Sequence, residues 1–210
     1  MAAVLKSALP SLTVTPIPPP PEPQVLVSDD FNRPDGDLNG SVAQTGQAWT
    51  VSQAAVTVAG NKMTPGTGSG RTAIIEAGQS DVDITVDVNY VPGGAAGVIF
   101  RVLAPTTDRW GIFLQSGLEM RLYRLVGSAS SIATSANSTT VPSMSTLTGS
   151  HVLRVRVKGQ VIKVWVDGIE CLTHTMSPED AAASAAWTKV GTLTSAASAM
   201  WDNFVVKEAL

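Results

Sequence analysis

The sequence predicts an all-β protein, an antiparallel sandwich or barrel, on three observations. From about residue 25 onward, apolar and polar residues alternate with period two. Tight-turn pairs such as Gly159-Gln160 and Asp167-Gly168 fall between the alternating runs. Charged residues are only 15 % of the 210 and aromatics 5 %. That balance excludes the Glu/Lys/Leu-rich heptads of a coiled coil and the charge excess of a disordered chain. A strand sends successive side chains to opposite faces, so period two is the mark of a half-buried sheet.

The front of the chain is different. Seven of the 13 prolines lie between Pro10 and Pro23. Proline fixes φ and lacks a backbone donor, so this stretch is neither helix nor central strand. As polyproline II at about 3.1 Å per residue, residues 10–23 span roughly 40 Å. Val4, Leu5, Leu9, Leu12, Val14 and Ile17 load it with more aliphatic side chains than a solvated linker carries. A stiff apolar strand docks into a groove at low entropy cost. Residues 1–27 are therefore read as an extended anchoring arm and 28–210 as the β-domain, with a plain spacer as the alternative.

Within the domain, Val82, Ile84, Val86, Val88 and Tyr90 alternate with Asp81, Asp83, Thr85, Asp87 and Asn89. The aspartates fit a solvated face or the guard of an edge strand. Leu153, Val155 and Val157 alternate with Arg154, Arg156 and Lys158, and Gly159-Gln160 turns the chain into 161–166 as a type II′ hairpin. Asp167-Gly168 turns it again into 169–173. Further strands are expected at 48–52, 54–59, 71–76, 96–103, 109–115, 118–126, 189–195 and 200–207. Gly66–Gly70 reads as a flexible hairpin tip, because a phosphate loop would need a following Lys-Ser/Thr and a helix. Residues 127–150 read as one weak edge strand and a long loop. Ser177-Pro178-Glu179-Asp180 before an Ala-rich run to Trp187 predicts one short surface helix, with Ser177 as N-cap.

Several function classes drop out. A net charge of −3 lacks the basic surface that nucleic acid requires. No run approaches the ~20 apolar residues of a membrane helix. The start has Lys6, Ser7 and Pro10 where a signal peptide needs an unbroken apolar stretch, so synthesis in a cytoplasm without export is expected. The single Cys171 excludes an internal disulfide and reads as a small buried hydrophobe. His151 and His174 are isolated, with neither a nucleophile nor zinc-ligand spacing nearby.

Two end stretches carry a resemblance. Asp29-Asp30-Phe31-Asn32-Arg33-Pro34-Asp35-Gly36-Asp37-Leu38 with Gly46–Val51, and Val190-Gly191 with Trp201–Val206, resemble the opening and close of laminin-G-like (concanavalin A-like) jelly-roll domains. Similar openings occur in minor tail proteins of bacteriophages that infect actinobacteria. Gly97–Arg101 and Arg109–Phe113 resemble the paired central strands, and the likeness spans about residues 25–208. It implies an antiparallel two-sheet sandwich whose first and last strands pair. Phe31 and Phe204 would then fill the core beside the junction, covered by Trp49. Asp29 or Asp30 would approach Asp202, where the carboxylates would hold a calcium ion or instead bond backbone at a bulge and cap a turn.

Jelly rolls of this kind include glucanases, but these often carry Glu-x-Asp-x-x-Glu on one strand, and no such string occurs here. Glu76, Glu119 and Glu170 are isolated, so no enzyme is expected. Binding residues are sought instead among the aromatics and planar cations of the strands: Arg101, Arg109, Trp110, Arg121, Tyr123 and Trp165. Trp110 leads because a polar turn precedes it, and Trp165 follows because it shares a face with Lys163. The resemblance implies a bacteriophage virion component (minor tail, fibre or capsid surface). The arm would dock on other virion proteins, and the domain would touch host cell-wall glycans, with self-association, such as a trimer, expected. The alternative is a stand-alone carbohydrate-binding module.

Overall fold

In the computed structural model two antiparallel sheets face each other across one apolar layer. The structure describes residues 21–66, 70–91, 94–104, 106–115, 119–127, 129–137, 149–195 and 199–210. The nine-stranded sheet contains β1 (Val25–Asp29), β2 (Gly36–Asp37), β4 (Val56–Val58), β5 (Met63–Pro65) and β7 (Val82–Tyr90). Its other strands are β12 (Gly149–Lys158), β13 (Val161–Val166), β14 (Ile169–Thr175) and β16 (Met200–Glu208). The seven-stranded sheet contains β3 (Thr50–Ser52), β6 (Arg71–Glu76), β8 (Ala96–Ala104), β9 (Asp108–Gln115), β10 (Glu119–Val126), β11 (Ala129–Asn137) and β15 (Lys189–Thr194). Strand order is β14-β13-β12-β7-β16-β5-β4-β2 in the first sheet, with β1 also on β16, and β11-β10-β9-β8-β15-β6-β3 in the second. The short helix α1 (Pro178–Ser184) links β14 to β15, from one sheet to the other.

The core is the inward parity of both sheets. Ile84, Val86, Val155 and Val164 face Phe100, Trp110, Ile112 and Leu122, all buried. Each such side chain contributes about 1.5–3 kcal/mol relative to exposure. First and last strands pair as the resemblance implies, Asp29 opposite Phe204. Phe31 and Trp49 stand 5.9 Å apart and Trp49 and Phe204 5.3 Å. The helix is capped as expected, the Ser177 hydroxyl accepting the Asp180 N–H at 3.1 Å, but it ends at Ser184.

Other expectations need correction. β7 lies between β12 and β16, so its aspartates guard no edge. They are satisfied instead: Asp83 binds the Arg154 guanidinium through both oxygens and Asp87 accepts from Asn203. β5 and β6 lie in different sheets, so the two strands form no hairpin with each other; residues 67–69 of the expected Gly66–Gly70 hairpin tip lie outside the described residues. Leu5, Leu9, Leu12, Val14 and Ile17 of the arm also lie outside them. Val25–Val27, assigned to the arm, are part of β1, and Val27 is buried. β2 and β5 are two and three residues long, too short for periodicity to reveal.

The calcium expectation for Asp29, Asp30 and Asp202 also fails on geometry. The Asp29 carboxylate is buried and accepts the Phe31 N–H at 2.9 Å and the Trp49 indole N–H at 2.7 Å, and Arg33 pairs with it. Asp30 accepts the Asn32 N–H at 3.0 Å, which with a bond from Gln44 holds its carboxyl below the usual range. Asp202 accepts the Asn203 N–H at a bulge and faces Lys62 at 3.5 Å. The alternative reading, turn caps and a bulge, is the one realised. Among the described residues no group of three or more His, Cys, Asp or Glu side chains is placed to hold a metal.

Candidate functional site

The six residues singled out for binding separate into three environments. Trp110 is a correction: it is 2 % exposed and points inward with Ile112 and Leu114. The polar turn ahead of it sets where β9 starts; strand parity sets which way the ring points. Arg101 is a second correction, also 2 % exposed. After Phe100 the β8 register shifts and Arg101 takes φ +44°, which swings its side chain between the sheets. There it binds Asp81 at 2.9 Å, the Gly159 carbonyl at 2.7 Å and Ser184 Oγ at 3.2 Å. It is a structural clamp. Trp165 lies half-buried on the outer face of the nine-stranded sheet, with the Arg154 guanidinium 4.8 Å from its ring centroid.

The remaining three, Arg109, Arg121 and Tyr123, come together on the outer face of the seven-stranded sheet. Pairing of β9, β10 and β11 sets them in rows. Ser130, Leu125 and Arg109 form one row, and Tyr123, Gly111 and Ile99 the next. Arg121, Phe113 and Gly97 form a third, and Glu119 and Gln115 a fourth. The floor is apolar: Ile74, Ile99, Val102 and Phe113 form a second buried cluster, with Tyr123 and Leu193 packed on it. Phe113 and Tyr123 meet at 5.5 Å, tilted 57°. The Phe113 ring lies over Gly111, where a Cβ would stand 2.7 Å from its Cζ. Gly111 therefore lowers the floor.

The result is a depression of about 190 Å³ lined by Arg109, Phe113, Gln115, Tyr123, Leu125 and Ser130, among others. That is below the roughly 300 Å³ of a small-molecule pocket, a size that suits one ring resting on an open surface. Sequence reasoning missed Phe113, Gln115, Leu125 and Ser130. The signal was available: once Trp110, Ile112 and Leu114 are core, 109, 111, 113 and 115 share the opposite face.

The polar groups are arranged in a definite way. Tyr123 Oη accepts from Gln115 Nε2 at 2.9 Å and from Arg121 Nη1 at 3.4 Å. With two bonds accepted, its own hydrogen is left to donate outward. Arg121 pairs with Glu119, and that hydrogen bond holds the Glu119 carboxyl below the usual range. That is the wrong direction for a glycosidic general acid, whose pKa must be raised. No carboxylate is among the described residues that line the depression. Arg109 is half-buried, Nη1 lacks any hydrogen-bond partner, and burial pulls its pKa below the usual arginine value.

The sheet architecture is shared with solved proteins. The carbohydrate-binding module CBM66 from Bacillus subtilis superposes with a TM-score of 0.54 at 13 % identity, over 81 % of this chain and 93 % of that one. SCLam, a non-specific endo-β-1,3(4)-glucanase of family GH16, superposes with a TM-score of 0.57 at 8 % identity, over 93 % and 95 %. The fold is a concanavalin A-like jelly roll. A further jelly-roll match comes from a study of endo-acting O-glycanases that gut bacteria use to initiate mucin breakdown. It has a TM-score of 0.55 at 16 % identity, over 88 % of this chain and 99 % of that one. The sequence itself matches no protein-family profile and no curated protein.

Proposed function

We propose that this jelly roll is a carbohydrate-binding module that holds a saccharide on the outer face of its seven-stranded sheet without cleaving it. The observation that carries the reading is Tyr123, a half-buried phenol over an apolar floor with its O–H directed to no described acceptor. A sugar ring offers an apolar face and a hydroxyl rim, and an amphipathic aromatic beside planar donors matches both. Superposable proteins named as a carbohydrate-binding module and a glucanase support a saccharide partner. The non-catalytic part of the proposal is supported by the lack of a carboxylate among the described residues that line the depression, since glycoside hydrolysis needs two carboxyl groups about 5–9.5 Å apart.

The test is a glycan array probed with the full chain and with Tyr123→Ala. The wild type is expected to retain at least one polysaccharide class. The variant, folded by circular dichroism, should bind it about tenfold or more weakly, as for an aromatic hot spot. Release of reducing ends from any bound glycan would overturn the non-catalytic part.

A second proposal places the module on a bacteriophage particle, anchored through residues 1–27. It is supported by the aliphatic, Pro-rich composition of that segment and by the resemblance of Asp29–Leu38 to phage minor tail proteins. Deleting residues 1–24 should then abolish incorporation into particles while leaving the domain folded. Unchanged incorporation would overturn it.

A further inference from the structure

We propose that the saccharide is acidic and that Arg109 receives its carboxylate; this rests on the reading of the depression as the glycan site. Three arginines lie on the ribbon of β9 and β10. Arg121 pairs with Glu119 on its own strand. Arg124, of the inward parity, pairs with Asp180 of α1. Arg109 pairs with no described carboxylate, although Asp108 is its neighbour. The Asp108 oxygens are committed to Thr107 Oγ1 at 2.7 Å and to the Gly127 N–H at 3.1 Å.

A half-buried cation without a counter-charge is a cost that a fold normally removes. Here the Arg109 Nη1 is buried with no acceptor, beside Leu125 and Ser130 in the same row. A guanidinium presents a planar fork that matches a carboxylate in two parallel bonds. The chain as a whole is acidic, at −3, so a general attraction for polyanions does not account for this position. The Ser130 and Tyr123 hydroxyls border the same depression and are placed for the hydroxyl rim of the ring that carries the acid.

The experiment is calorimetric titration of the full chain with oligogalacturonate, oligoalginate and sialyllactose, each beside its carboxyl-reduced counterpart, and with a sulfated galactan. The variants are Arg109→Met and Arg109→Lys. At least one acid is expected to bind about tenfold or more tightly than its reduced form, because a charge-assisted hydrogen bond is roughly twice as strong as a neutral one. Arg109→Met should erase that difference, and Arg109→Lys should recover only part of it. Thermal unfolding supplies a second readout: Arg109→Met should match or exceed the wild-type midpoint, because it removes an uncompensated cation.

Equal binding of acid and reduced forms would overturn the inference while leaving the glycan site standing. So would a preference for the sulfated galactan, or a marked fall in the Arg109→Met midpoint. If no saccharide of any charge binds, the glycan reading itself fails.

Discussion

The Asp29 carboxylate accepts the indole N–H of Trp49 at 2.7 Å, across twenty residues of chain. Both side chains are buried, at 2 % and 1 % exposure. The same carboxylate holds the Phe31 N–H and Arg33, so one group fixes the turn after β1 and the ring that covers the junction with β16. This gives a physical reason for Asp29, Phe31 and Arg33 standing at alternate positions in the opening stretch.

Asp29→Ala is therefore expected to cost about 3–5 kcal/mol, because it strands the Trp49 and Phe31 donors and removes the counter-charge of Arg33. Asp29→Asn, which keeps one acceptor, should cost less. Urea unfolding measures both, and an Asp29→Ala midpoint at the wild-type value would refute the assignment. Millimolar calcium should leave the wild-type midpoint unmoved, since the Asp29, Asp30 and Asp202 carboxylates are already taken by donors of the chain itself.

Arg101 ties three elements together through Asp81, Gly159 and Ser184. Its partner Asp81 is 42 % exposed, so solvent softens the charge term. Arg101→Ala is expected to lose roughly 2–4 kcal/mol, and Arg101→Met, which keeps the buried stem, noticeably less. A glycan-binding defect without loss of stability would contradict the clamp role.

His174 sets a pH dependence. Burial holds its imidazole below the usual value, and Asp180 opposes this more weakly. The folded state thus favours the neutral ring, packed near Trp110 at 6.0 Å. Its contribution is complete above the unfolded value of about 6.5 and is lost as the pH falls through the lower folded value. Unfolding midpoints should therefore decline below about pH 6.5, and His174→Gln should flatten that part of the curve. Asp108, Glu119 and Glu170, all held low by hydrogen bonds, add a separate decline only below about pH 4.

Gly111→Ala would place a methyl group 2.7 Å from the Phe113 ring. The ring can tilt, so the expected cost is about 1–3 kcal/mol together with weaker saccharide binding as the floor rises. Gly97→Ala would put its Cβ 1.8 Å from the Ile112 carbonyl oxygen, a backbone atom that cannot move aside. It should destabilise more than Gly111→Ala, and the reverse order in a thermal melt would contradict the packing described.

Alternation along each strand, the Ser177 cap and the two hairpins of β12–β14 were legible from residue order because each depends on neighbours a few positions apart. The aromatic junction of Phe31, Trp49 and Phe204 came instead from the family resemblance, which places these residues at the paired ends of one domain. The candidate site was half legible: Arg109, Arg121 and Tyr123 share the parity that faces outward, whereas Trp110 does not. What no local pattern contained was the sheet to which a strand belongs and the neighbours it meets there. Asp83 on central β7 looked like the guard of an edge because its partner Arg154 stands 71 residues away. Arg101 looked like a surface cation because one residue with a positive φ is enough to reverse the parity of everything after it. Alternation is a property of the backbone within a strand; the choice of face, partner and bulge is made by the packing of two sheets against each other.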